Sequence, residues 1–197
     1  MAREQIRFYL VGLIYRIRVS RYELHDMSFE IERKFLVLGD DWSKLTQRHV
    51  TIRQAYLASN STNSIRVRIE DDKTATLTVK SKPSSLRRLE LEYPVPLLEA
   101  EAMVQLRQGA VIEKIRHVVP WDDLAWEIDV FLGSNAGLII AELELGNEHQ
   151  QFRMPAWIGR EITGQLQYYN SALVTRPYCD WTQQDMTKHD MTLQQLA

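Results

Sequence analysis

Alternation of charged and apolar residues recurs in one short segment after another of this 197-residue chain, and no other feature restricts its fold so tightly. A strand turns successive side chains to opposite faces, so residues two apart share a face. In Ser28 to Leu38 (SFEIERKFLVL), Glu30, Glu32 and Lys34 point one way. Ile31 and Phe35 point the other way, with Arg33 between them. A half-buried strand ordinarily sends its charge to water. Here a face of mixed acids and bases is repeated so often that it reads as the lining of a cavity.

The repeats follow in order. Arg66 and Arg68 share a face in Ile65 to Ile69; Thr76, Thr78 and Lys80 share one against Ala75, Leu77 and Val79. Arg88, Glu90 and Glu92 oppose Leu89, Leu91 and Tyr93, and Lys114 pairs in phase with Arg116. Glu127 and Asp129 oppose Trp126, Ile128 and Val130; Glu142 and Glu144 oppose Ile139, Ala141, Leu143 and Leu145. Arg53, within Thr51 to Leu57, is a further candidate on a shorter strand. Such periodicity is the primary strand signal. Asp71-Asp72-Lys73 and Gly133 to Gly137 have hairpin chemistry. Helices are expected at Asp41 to Arg48, Leu97 to Gln108, Asn147 to Gln151 and after Asn170. Many antiparallel strands with a few helices make an α+β chain with a closed or nearly closed sheet.

Composition removes several alternatives. A 45% apolar and 25% charged chain of this length suits one globular domain. With 24 basic and 26 acidic side chains, the net charge of -2 carries no footprint of a nucleic-acid binder. The single cysteine, Cys179, excludes an intramolecular disulfide and suits a reducing cytoplasm. The five histidines have no HExxH or other ligand spacing, and no Walker A loop, GxGxxG or GxSxG elbow is present. His117 alternates away from Lys114 and Arg116, which places it in outside packing. Trp126 and Trp157 read as core.

Residues 1–26 are expected to be an N-terminal extension, either an upstream mis-start ahead of Met27 or a peripheral helix. The longest uncharged run there, Phe8 to Tyr15, is too short to span a bilayer. Residues 27–176 form the domain, and 177–197 a helical or disordered tail.

A single alternating strand is most simply a solvated face. Seven with apolar opposite faces imply that the apolar side packs outward under helices and the charged side lines a wet interior. Buried charges then need partners or a ligand. Clustered Arg and Lys suit a polyanion with several phosphates. Clustered carboxylates suit a hard divalent cation that bridges to phosphate. A metal ion can polarise a phosphoryl group and activate water, so no Ser, Cys or His nucleophile is required.

These residues resemble the CYTH superfamily of triphosphate tunnel metalloenzymes, most closely its compact bacterial members. The ExExK hallmark matches Glu30, Glu32 and Lys34, and the later charged segments follow in family order. So does Glu161-Ile162-Thr163 ahead of Tyr168 and Asn170. The resemblance covers about Ser28 to Leu173. It implies an eight-stranded antiparallel β-barrel forming a tunnel, with peripheral helices. It implies that Lys34, Arg53, Arg66, Arg68, Lys80, Arg88, Lys114 and Arg116 grip a triphosphate. It implies that Glu30, Glu32, Glu142 and Glu144 serve one or two Mg2+ or Mn2+ ions. Glu30, Glu32 and Lys34 are the catalytic candidates, and Glu90, Glu92, Glu127 and Asp129 the further acidic lining. Arg88, Glu90 and Glu92 read equally as mutual cross-strand pairs.

Two departures stand out. Gln165 and Gln167 take the places where close relatives carry an Asp and an Arg, and Arg53-Gln54-Ala55-Tyr56-Leu57 replaces Arg-Gln-Gly-Tyr-Leu. The first puts closure of the tunnel by the C-terminal segment in question. The leading expectation is a cytoplasmic, metal-dependent hydrolase of inorganic tripolyphosphate. Class IV adenylate cyclase-like, thiamine triphosphatase and non-catalytic polyphosphate- or nucleotide-binding readings stand beside it. The expected partner is a small polyanion, without nucleic acid or membrane span. A homodimer through the barrel rim or the extension is a further expectation.

Overall fold

The computed structural model describes residues 29–81 and 87–186; the expected extension at 1–26 and the end of the tail lie outside them. Among the described residues nine strands form one antiparallel sheet. They are β1 (Phe29–Val37), β2 (Arg48–Ser59), β3 (Asn63–Glu70), β4 (Thr74–Ser81), β5 (Arg87–Pro94), β6 (Gln108–Trp121), β7 (Leu124–Phe131), β8 (Ile139–Glu144) and β9 (Ile158–Glu161). The order β5-β4-β3-β2-β6-β7-β8-β1 closes on itself because β1 also pairs with β5, Glu30 standing opposite Arg88. An eight-stranded barrel results. The four-residue β9, which the sequence pattern did not reveal, joins the last residues of β1. Closure removes the open edges that a long charged sheet would otherwise present.

The hairpin expected at Asp71 to Lys73 joins β3 to β4, with Asp71 and Asp72 at positive φ (49° and 52°). Asp tolerates that region better than most residues. The expected helices are mostly shorter. The first is a single 3-10 turn, Asp41–Leu45, because β2 already begins at Arg48; the second is α1 (Leu97–Gln105), because β6 begins at Gln108. Residues 147–151 form no helix, and the segment after Asn170 is broken into the four-residue α2 (Asn170–Leu173), a 3-10 turn at Tyr178–Asp180 and a helical turn at residues 183–186.

The outer wall is apolar and is covered in two ways. Ala55, Val67, Ile69 and Ala75 lie beneath Ala100 and Val104 of α1. On the opposite side Ile31, Phe35, Trp126, Ile128 and Leu143 lie beneath Trp42 and Trp157, which sit in a 3-10 turn and a connecting loop rather than a helix. The interior is not charged throughout. Leu36, Ile112, Phe131 and Ile140, in phase with the charged residues of their strands, pack with Tyr168, Leu173 and Val174. That apolar floor holds the C-terminal segment in place. Gly109, at φ +72°, is needed there: a Cβ would fall 2.4 Å from the Val174 carbonyl oxygen, which accepts the Ala110 N–H at 2.8 Å.

Candidate active site

Above the apolar floor lies a cavity of about 530 Å³. Among the expected bases, Lys34, Arg66, Arg68, Lys80, Arg88 and Arg116 line it. Among the expected acids, Glu30, Glu32, Glu90, Glu92, Glu127, Glu142 and Glu144 line it. Three expected residues are placed elsewhere. Lys114 and Asp129 also point inward but are wholly buried at the floor, out of the cavity lining, where the Lys114 ammonium meets Asp129 and stands 5.5 Å from the Phe131 ring centre. Arg53 is on the outer face: its guanidinium binds Asp72 (2.9 Å) and Glu101 of α1 (2.5 Å). The inward residues of that stretch of β2 are Ile52, Gln54 and Tyr56, opposite Lys114, Arg68 and Arg66 respectively.

The charges are organised by register. Lys34 faces Glu142, Glu32 faces Glu144, Arg116 faces Asp129 and Glu127 faces Glu142 across adjacent strands. Lys34 bridges Glu142 and Glu32, the latter at 3.0 Å. Burial alone would lower the Lys34 pKa, but the two carboxylates outweigh it and hold it above its usual value. Arg116 clamps Asp129 through Nε and Nη2, both at 2.7 Å, and reaches Glu142 at 2.5 Å. Burial would raise Asp129 and Glu142; Arg116 and Lys114 reverse this for Asp129, and Lys34 and Arg116 lead the reversal for Glu142. Lys80 binds Glu30, and Arg88 binds Glu32 at 2.5 Å.

Two sets of like charge remain poorly compensated. Among the described residues Arg68 has only Glu70, at 3.7 Å, and the Nε groups of Arg66 and Arg68 are buried without a partner. Burial and then the neighbouring Arg66 and Arg116 lower the Arg68 pKa. On the other side, Glu32 and Glu144 are direct cross-strand neighbours. Like charges in that position repel. Partial burial, followed by Glu30, Glu127, Glu90 and Glu32, raises the Glu144 pKa. Among the described residues no three His, Cys, Asp or Glu side chains already stand as a coordination shell. The donor chemistry nonetheless fits a hard divalent cation: all are carboxylate oxygens, and a cation relieves the repulsion.

The Glu161-Ile162-Thr163 segment fixes β1 from outside the cavity. Ile162 N–H donates to the Lys34 carbonyl (2.8 Å), and Thr163 Oγ1 accepts the Lys34 N–H (2.9 Å). Glu161 binds Arg33, whose guanidinium lies 5.4 and 5.1 Å from the ring centres of Phe35 and Phe152. Gln165 and Gln167 sit in the turn that follows. Gln165 donates weakly to the Glu161 carbonyl (3.5 Å), and closure rests on buried Tyr168 and Leu173 instead of a charge pair.

Residues 28–178 match the CYTH domain. The chain belongs to the CYTH family. An inorganic triphosphatase of Acetivibrio thermocellus is 45% identical over 153 residues, covering 77% of this chain and 97% of that protein. The inorganic triphosphatase of Nitrosomonas europaea is 34% identical over 148 residues, covering 73% and 95%. A crystal structure of an inorganic triphosphatase, 31% identical, superposes with a TM-score of 0.52 over 74% of this chain and 93% of that one. The barrel described above is thus the CYTH fold. No helix among the described residues is long and apolar enough to cross a membrane.

Sequence reasoning left part of this CYTH cavity undescribed. Tyr56, Ser64, Tyr169, Asn170 and Ser171 also line it. Tyr56 shares the phase of Gln54, a usable signal. Residues 169–171 reach the cavity through the packing of the C-terminal segment on the floor, which no periodicity encodes.

Proposed function

We propose that this CYTH protein hydrolyses inorganic triphosphate in the charged cavity, with Mg2+ or Mn2+ as cofactor. One observation carries the reading: under-compensated cations (Arg66, Arg68) and mutually repelling carboxylates (Glu30, Glu32, Glu144) share one 530 Å³ space. A polyphosphate chain satisfies the first set and a divalent cation the second. The names of the relatives support the same substrate.

The chain's own residues act mainly by binding and orientation. Arg66, Arg68 and Arg116 hold phosphoryl oxygens, with guanidinium forks matched to that geometry. Lys34, Lys80 and Arg88 are paired with Glu142, Glu30 and Glu32. Arrival of the substrate draws these cations to phosphate and frees the carboxylates. Glu30, Glu32, Glu142 and Glu144 would then hold the metal. When bound, a divalent ion supplies phosphoryl polarisation and a more acidic water. Lys114 and Asp129 do not touch substrate in this reading; they fix Arg116 from behind.

The test is phosphate release from tripolyphosphate, with ATP and thiamine triphosphate alongside, in Mg2+, Mn2+ or EDTA. Turnover of tripolyphosphate that EDTA abolishes is expected. Glu144→Gln should reduce it by about 100-fold or more, a loss typical of removing one electrostatic group from a transition-state site. The Glu142→Gln/Glu144→Gln variant should be inactive. Tight tripolyphosphate binding without metal-dependent turnover would sink the hydrolase reading in favour of a binding protein.

A further inference from the structure

On the barrel's outer wall, away from the cavity, His49 of β2 and His117 of β6 stand directly opposite each other. Their ring centres are 5.7 Å apart and the ring planes are inclined by 39°. His49 is exposed, whereas His117 is half-buried beneath Trp42, whose ring centre is 5.0 Å away. The Nδ1 atom of His117 is buried and makes no hydrogen bond. Neither imidazole is occupied by a carboxylate among the described ion pairs.

We propose that His49 and His117 form a two-imidazole site for a borderline divalent transition ion, Zn2+ in the first instance. The distance is suitable. With Zn–N bonds of about 2.0–2.1 Å, each ring centre would lie roughly 3.2 Å from a shared ion, and two such rings at tetrahedral corners stand ~5 Å apart. A small side-chain adjustment brings 5.7 Å to that value. The protonation state is also suitable, since neutral imidazole is the ligating form. Burial first, and then His49, lower the His117 pKa and favour that form. Solvent at exposed His49 supplies the remaining ligands. The ion would differ in kind from that of the cavity, because imidazole selects Zn2+ or Cu2+ and carboxylates select Mg2+ or Mn2+. Once bound, it would tie β2 to the strand that carries Arg116 on its other face.

The experiment is a Zn2+ titration of the full, untagged chain against a chromophoric chelator, in excess Mg2+ to occupy oxygen-ligand sites. Wild type is compared with His49→Gln, the fold-safe variant because His49 is exposed, and with His149→Gln as a histidine control. Loss of outer ligand support alone weakens metal sites 10–100-fold, so loss of His49 should remove one zinc equivalent or weaken it by about tenfold or more. His149→Gln should leave it unchanged. Cu2+ in place of Zn2+ should show nitrogen hyperfine coupling from two imidazoles, reduced to one in His49→Gln. Identical Zn2+ binding by wild type and His49→Gln, or no uptake by wild type, would overturn the proposal. Neither outcome bears on triphosphate hydrolysis, whose residues face the other side of the wall.

Discussion

Lys34 and Lys114 occupy equivalent phases on two strands of one barrel, yet they live in different surroundings. Lys34 lies at the cavity wall between Glu142 and Glu32, and its ammonium is stabilised above its ordinary pKa. Lys114 lies at the floor, wholly buried against Phe131 and beside Arg116, and its pKa is lowered to about 8. Burial is the leading influence on both. The difference is the balance of neighbours: two carboxylates outweigh desolvation at the cavity, whereas at the floor Asp129 and Glu142 are opposed by Arg116 and Arg68 and do not. The lesson is that charges at the cavity can be exchanged for ligands, while charges behind it are fixed parts of the fold.

The largest expected effect breaks the floor. Asp129→Ala leaves the buried Lys114 without its ion-pair partner and takes one of three carboxylates from Arg116, and loss of one partner of a buried pair costs about 3–5 kcal/mol. Urea denaturation should show that loss even without substrate. A cavity acid such as Glu144 should behave oppositely: Glu144→Gln removes repulsion and leaves stability unchanged or slightly raised while turnover collapses.

The lysine contrast is sharpened by pH. Between about pH 8 and the ordinary lysine value of 10.5, unfolded chains bind more protons at this residue than folded ones, so its contribution to stability rises with pH. Relative to Lys114→Met, wild type should gain up to ~3 kcal/mol across that window. A flat difference would mean that Lys114 stays fully charged in its buried pair.

Arg68→Ala probes the under-compensated side of the cavity. KM for tripolyphosphate should rise about 10- to 100-fold, matching roughly 1.5–3 kcal/mol for a charge-assisted hydrogen bond. Its stability should hold, because the variant relieves repulsion from Arg66 and Arg116. Arg53→Ala should do least. It loses only the outer ion pairs with Asp72 and Glu101, worth less than about 1 kcal/mol, and steady-state kinetics should match wild type.

Arg53 also shows where sequence reading stops. Around it, Thr51, Arg53 and Ala55 alternate with Ile52, Gln54 and Tyr56, so both faces mix polar and apolar groups and the pattern names no inside. Along β1 the faces differ sharply, and Glu30, Glu32 and Lys34 fall where alternation puts them. The same phase continues into Leu36, which belongs to the apolar floor, so alternation identifies the inward face without saying where the cavity ends.

By itself the sequence determined the sheet and the company each charged side chain keeps on its own strand, because a two-residue period is a local, rigid property of extended backbone. Register and closure lie beyond it. They decided that Glu144 faces Glu32, that Lys114 and Asp129 are sealed from the cavity, and that residues 169–171 reach it. They also set His49 opposite His117, a pairing that no spacing along the chain displays. Such contacts join strands distant in sequence, and their energies depend on which neighbours the closed barrel supplies and how much water it leaves between them.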